Sequence, residues 1–202
     1  MADIIARLRI ALSDTEPEIW RRVDVPVEAS LKTLHDVIQA AMGWQDYHIW
    51  EFEASERRYG LPDPAWPDDT LAAAKNTRLK ALIDRGVRQF DYMYDMGDSW
   101  HHVITVEAVE PGRSDLKYPR YVEGCRRCPP EDVGGTPGFK NFLEAMADPE
   151  HPDHAELIEW HEECYGGAYS PETIDELVTK RRVAALAIRR SAGKAAYAKR
   201  RS

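Results

Sequence analysis

No apolar run in this chain approaches the roughly 20 residues that a membrane-crossing helix requires, so no membrane partner is expected. Cysteine is scarce. Cys125, Cys128 and Cys164 are odd in number and too few for a disulfide framework. The start, Met1-Ala2-Asp3-Ile4, lacks the basic segment and apolar stretch of a secretory leader. A cytoplasmic chain in a reducing compartment is therefore expected. Four chemical signatures are also missing: the Gly-x4-Gly-Lys-Ser/Thr phosphate loop, Gly-x-Gly-x-x-Gly, the Gly-x-Ser-x-Gly elbow and His-Glu-x-x-His. The enzyme classes built on them lose support.

What is present reads as one globular core with a basic tail. Of 202 residues, 43% are hydrophobic and 31% charged, which suits a folded domain rather than disorder. The net charge of −8 is unevenly spread. Nine of the 27 Lys and Arg lie from Lys180 onward, with no acid among them, so residues 1–179 carry 18 basic against 35 acidic side chains. An acidic body repels phosphate backbones and a basic tail attracts them. Residues 1–179 are read as the domain. Residues 180–202 are read as a basic C-terminal helix or tail, the one place where nucleic acid would bind; the plainer reading is a solvated helix end.

Hydrophobic periodicity supplies the elements. Ile4, Ala6, Leu8, Ile10 and Leu12 alternate as in a half-buried strand. Beyond Pro17, Trp20 and Val23 are expected to pin a second extended segment to the core. Ser30 caps a helix over 31–42, closed by Gly43. His48, Trp50, Phe52 and Ala54 share a strand face, residues 56–70 read as a loop, and 71–84 as weakly helical. Two alternating runs around Asp95–Ser99 make a β-hairpin at about 88–107. The stretch 111–137 reads as one long irregular, functional loop. Helices follow at about 138–147, 153–163 and from Pro171 onward. The fold class is α+β: a single domain with a mixed or antiparallel sheet packed against helices and a helical C-terminal third.

Three groups of residues could carry chemistry. Asp95-Met96-Gly97-Asp98-Ser99-Trp100-His101-His102 sets carboxylates and imidazoles at the hairpin turn, where Asp and His can ligate a metal or move protons. With His48, they suggest a divalent site of His48, Asp98 and His102. Paired core histidines and a turn aspartate are the bland alternative. Cys125-x-x-Cys128 and His161-x-x-Cys164 have half-site spacings for zinc. The adjoining Pro129-Pro130-Glu131-Asp132 run reads more simply as a rigid turn. The chain also has six Trp and nine Tyr, suited to core packing or to an aromatic pocket wall.

Four segments carry a family resemblance: Ile19-Trp20-Arg21-Arg22-Val23 with Val25-Pro26; Leu34-His35 through Gly43-Trp44 to His48 and Phe52; Tyr92 through Trp100 with His102; and Cys128-Pro129-Pro130-Glu131-Asp132 with Gly134-Gly135. Together they resemble the plasmid pRiA4b ORF-3-like family over about residues 4–178. The resemblance implies an α+β domain of uncharacterised activity, with some relatives labelled transposon passenger or resolvase-like. Met96 stands where the family usually has Phe, and Tyr121 where it often has Cys. No serine-recombinase arrangement is present.

These readings converge on a non-catalytic binding or accessory module. Its surface would join the hairpin turn to the Pro-Pro-Glu-Asp segment through Trp44, His48, Asp95, Asp98, Trp100, His102, Pro130, Glu131 and Asp132. The partner would be a protein or a small ligand, and no cofactor is expected. The alternatives are a metal-assisted hydrolase, with Glu131 or Asp132 as general base, and a mobile-element nucleic-acid-binding protein using the basic tail.

Overall fold

The computed structural model describes residues 3–65 and 67–201. Met1 and Ala2 of the leader reading, Trp66, Ser202 and the tail side chains of Lys194, Tyr197, Ala198, Lys199, Arg200 and Arg201 lie outside the described residues. The strands are β1 (Ile4–Leu12), β2 (Ile19–Pro26), β3 (Trp50–Ala54), β4 (Arg57–Gly60), β5 (Leu71–Ala73), β6 (Gln89–Tyr94), β7 (Trp100–Pro111) and β8 (Arg120–Cys125). The helices are α1 (Leu31–Met42), α2 (Leu79–Asp84), α3 (Gly135–Ala147), α4 (His154–Tyr165) and α5 (Glu176–Arg201). Among the described residues the strands form one sheet in the order β5-β4-β3-β6-β7-β1-β2-β8. Every pairing is antiparallel except β4 with β5. The fold is α+β.

The alternation read in the sequence explains the layering. Leu8, Ile10, Val23, Phe52, Phe90, Tyr92 and Ile104 are buried together with Leu34, Val37, Ile38 and Ala41 of α1. The opposite sheet face is wetter and carries cross-strand ion pairs: Arg7 with Asp24, Arg22 with Glu107 and Glu123, Arg58 with Glu51. One dry and one wet face is the usual economy of antiparallel sheets. In α1, Ser30 Oγ accepts from the Thr33 N–H at 3.2 Å. Gly43, at φ 104, donates its N–H to Gln39 O at 2.9 Å, ending the helix as its spacing predicts.

Several expectations are corrected. Trp20 does not pin β2 to the core; it is half-buried on the wet face, between the guanidinium groups of Arg9 and Arg22 at 5.1 and 5.2 Å. The side chain that shares the inward parity of Ile19 and Val23 is Arg21. The 56–70 loop contains β4, and the 71–84 segment opens with β5 before a single 3-10 turn at Ala74–Asn76 and α2. The 111–137 stretch is not one loop, since β8 pairs with β2 through a register shift at Arg22/Val23. The last helix starts at Glu176 rather than Pro171, with Asp175 capping it: Oδ1 accepts from the Val178 N–H at 2.9 Å.

Candidate functional site

The hairpin between β6 and β7 and the 128–135 segment meet. Asp95 sits at φ 58, and its Oδ1 accepts from the Gly97 N–H at 2.8 Å, tying the turn. Asp98 Oδ2 accepts from the Gly134 N–H at 3.2 Å. Gly135 lies against the same turn, so close that a Cβ there would stand 2.5 Å from Asp98 O. Trp44 Nε1–H donates to Pro129 O at 3.0 Å, fastening the segment to the end of α1.

On the outer side of this segment His48, Asp95 and Asp132 bring their ligand atoms together. His48 Nε2 is 3.1 Å from Asp132 Oδ1 and 3.5 Å from Asp95 Oδ2, yet it makes no aligned hydrogen bond to either. These groups offer a divalent cation one nitrogen and two oxygens. The hydrolase ligand set of His48, Asp98 and His102 is not assembled. His102 is fully buried, and its Nδ1–H donates to Trp100 O at 3.0 Å and Tyr92 O at 3.3 Å, so it is a neutral core imidazole. Burial lowers its pKa to about 3. Trp100 is buried in the same layer. Among the described residues, the groups of three potential ligands are that of His48 and a second of His35, Asp36 and Asp46; neither contains a cysteine. Cys125 and Cys164 are exposed, whereas Cys128 is buried and its thiol pushed up to about 12 by desolvation. His161 Nδ1–H donates to Gly167 O at 3.1 Å, and its ring stacks on Tyr165. The zinc arrangement of Cys125, Cys128, His161 and Cys164 is therefore not formed.

The inner side of the same segment faces a cleft of about 390 Å³. Its walls are the end of α1 (Met42–Trp44), the Arg127–Glu131 segment, α4 with its following link (His161, Tyr165, Tyr169), and the first turns of α5. Glu131 thus lines this cleft, whereas Asp132 belongs to the His48 cluster. Glu131 is 2% exposed; its Oε2 accepts from the Gln45 N–H at 3.0 Å and its Oε1 from the Tyr94 hydroxyl. Burial raises its pKa, against those donors. Tyr165 donates to Glu131 O at 2.9 Å, and Tyr169 to Cys128 O at 3.2 Å. Pro130, in the wall, is buried.

Residues 4–177 match the profile of the family described as plasmid pRiA4b ORF-3-like protein. The chain belongs to the pRiA4b ORF-3-like family. It is 43% identical over 160 residues to the uncharacterised protein y4hQ of Sinorhizobium fredii (strain NBRC 101917 / NGR234), covering 79% of this chain and 82% of that one. It is also similar to the crystal structure of a protein of unknown function, MM3350, from Methanosarcina mazei Go1. That similarity has a TM-score of 0.76 at 29% identity, covering 87% of this chain and 97% of the other. The family match ends within the first turn of α5, so Val178, Thr179 and Arg182 of the cleft lie beyond it.

Sequence reasoning missed the cleft's arginines and tyrosines. For Arg21 a signal existed: an arginine at the inward parity of an otherwise apolar strand. Arg182, Tyr165 and Tyr169 gave none, because only the chain's return brings them to α1. It also passed over His35, which is buried against Trp50 with its ring nitrogens bonded to Tyr92 Oη and Asp46 Oδ1, both at 2.8 Å. A Ser13–His101–Asp91 chain, with contacts of 3.0 and 2.9 Å, lies on the wet sheet face outside the cleft.

Proposed function

We propose that this protein is a binding module without catalytic chemistry of its own, and that its ligand is a small molecule held in the cleft behind the Cys128–Glu131 segment. The cleft carries the reading. Its volume of about 390 Å³ lies within the roughly 300–1,000 Å³ range of small-molecule sites. Its wall includes Trp44, Tyr165 and Tyr169, the aromatic lining such sites favour. The reactive types that line it are already committed. Cys128 is kept protonated, Glu131 is held by two donors, and His161 is bonded to a carbonyl. A nucleophile with a free base is the pairing that covalent chemistry needs. A cytoplasmic setting is part of the proposal, supported by three free thiols, two of them exposed; no helix among the described residues is long and apolar enough to cross a membrane. Thermal-shift screening of a metabolite library tests it. Hits should raise the Tm of the wild-type chain and lose that effect in Val178→Trp, which fills the rim. No hits, or hits indifferent to the rim, overturn the reading.

A protein partner at the hairpin tip is the second reading. It is supported by Tyr47, Ile49 and Met96, all exposed beside His48 and Asp95. Ile49→Asp with Met96→Asp should then abolish pull-down while the fold persists. Nucleic acid on residues 180–202 has weaker support, because Lys180 pairs with Glu176, Arg190 with Asp3, and Arg182 binds carbonyls. Retention on DNA at low salt, lost on deleting the tail, would promote it.

A further inference from the structure

We infer that the cleft selects anions: small organic molecules with an aromatic or ring-sized body and a carboxylate or phosphate headgroup, received by Arg21 and Arg182. This rests on the small-molecule reading of the cleft given above.

Arg21 is 1% exposed, and burying an unpaired guanidinium is costly. Yet it has no carboxylate within ion-pair distance among the described residues. Its Nε–H donates to Ala41 O at 2.9 Å, and Nη1 to Trp20 O at 2.8 Å and Cys125 O at 3.0 Å. Nη2 has no protein acceptor among the described residues, and the side chain lines the cleft. Arg182 repeats the pattern from α5. It donates to Gly43 O at 2.7 Å and to Trp44 O, again without a carboxylate partner among the described residues. Burial lowers the pKa of both arginines. Elsewhere the molecule does compensate buried charge: Asp24, also 1% exposed, is held by Arg7 and Arg120.

The end of α1 explains where the two arginines are anchored but does not neutralise them. A helix C-terminus presents about half an elementary negative charge, against two full positive ones. A third cation, Arg127, lines the same cleft with its guanidinium 5.0 Å from the Tyr169 ring. Two acids also line the cleft and leave the three arginines in excess: Glu131, which attracts Arg182 and whose oxygens accept from Gln45 and Tyr94, and Asp175, which caps α5. The result is a set of fixed donors, held open by carbonyls, beside an aromatic wall. Planar guanidinium groups match carboxylate and phosphate oxygens.

Isothermal titration of the full chain with benzoate, phenyl phosphate and benzamide tests the inference, because benzamide has benzoate's shape without its charge. Benzoate or phenyl phosphate should bind saturably and about tenfold or more tighter than benzamide. Whichever binds better identifies the headgroup. Arg182→Gln should abolish the difference while Tm shows the fold intact. Should that variant unfold, the comparison on the wild-type chain still decides. Equal binding of benzamide and the anions overturns the charge selection and leaves the small-molecule reading standing. Absence of binding by all three at about 10 mM overturns the selection also, and the library screen then decides the broader reading separately.

Discussion

Lowering the pH from about 7.5 to about 5.5 should weaken the fold through its buried imidazoles. His102 titrates near 6.5 when unfolded, but burial takes it to about 3 in the fold, and His35 falls to about 4 for the same reason, against Asp46. Both folded values are depressed, so the unfolded chain binds the extra protons. The stability is present above pH 6.5 and lost as pH falls toward the folded values. One unit below 6.5, each imidazole costs about 1.4 kcal/mol relative to neutral pH, or about 2.7 kcal/mol for the pair. Urea unfolding at the two pH values measures the sum, to which carboxylates add their own terms. Burial raises Glu131, which works in the opposite direction. His102→Phe separates the imidazole term. It keeps a ring edge-on to Trp44, where the centroids are now 5.3 Å apart. It removes the donor to Tyr92 O and Trp100 O, costing about 1–3 kcal/mol at either pH. Its pH-dependent loss should be smaller than that of the wild-type chain by about 1.4 kcal/mol. Equal losses in the two proteins would refute the reasoning, since they would mean that His102 takes up no more protons unfolded than folded.

Other outcomes follow from single contacts. Asp24→Asn should cost about 3–5 kcal/mol in urea unfolding, because burial raises this carboxylate's pKa and the hydrogen bonds from Arg7 and Arg120 more than reverse it; a loss under about 1 kcal/mol would class the triad with ordinary surface pairs. Gly135→Ala should lose about 1–3 kcal/mol, from φ 66 and the approach to Asp98 O. Gly193→Ala, in α5 with nothing within 4 Å of the added carbon, should gain about 0.5–1 kcal/mol; the two glycines reacting alike would contradict their environments. With a thiol reagent near pH 8, Cys125 and Cys164 should react quickly and Cys128 only on unfolding; three equal rates would show that the buried thiol is accessible.

Much of the core was legible because its signals are local. β1, β6, β7 and α1 each repeat at their own period, and Ser30 and Gly43 mark the helix ends. β4, β5 and β8 were missed for a shared reason. β4 and β5 have only four and three residues, β8 (Arg-Tyr-Val-Glu-Gly-Cys) has no clean apolar alternation, all three sit among glycines and prolines, and pairing with a neighbour defines them. Trp20 was misassigned because its size suggested burial, while its parity, opposite to Ile19 and Val23, placed it on the wet face. The meeting of the hairpin with the 128–135 segment was foreseen from the turn residues and the resemblance. The cleft behind it was not, since its arginines gain meaning only when β2 and α5 flank the end of α1.

The Cys128–Gly135 strip is a partition wall with a face in each compartment. Glu131 lines the cleft and Asp132 belongs to the His48 cluster, one residue apart on a strip clamped by Trp44 at one end and Asp98 at the other. Neither face can be rebuilt alone: a change in the length of this strip would displace the cleft wall and the His48 cluster together.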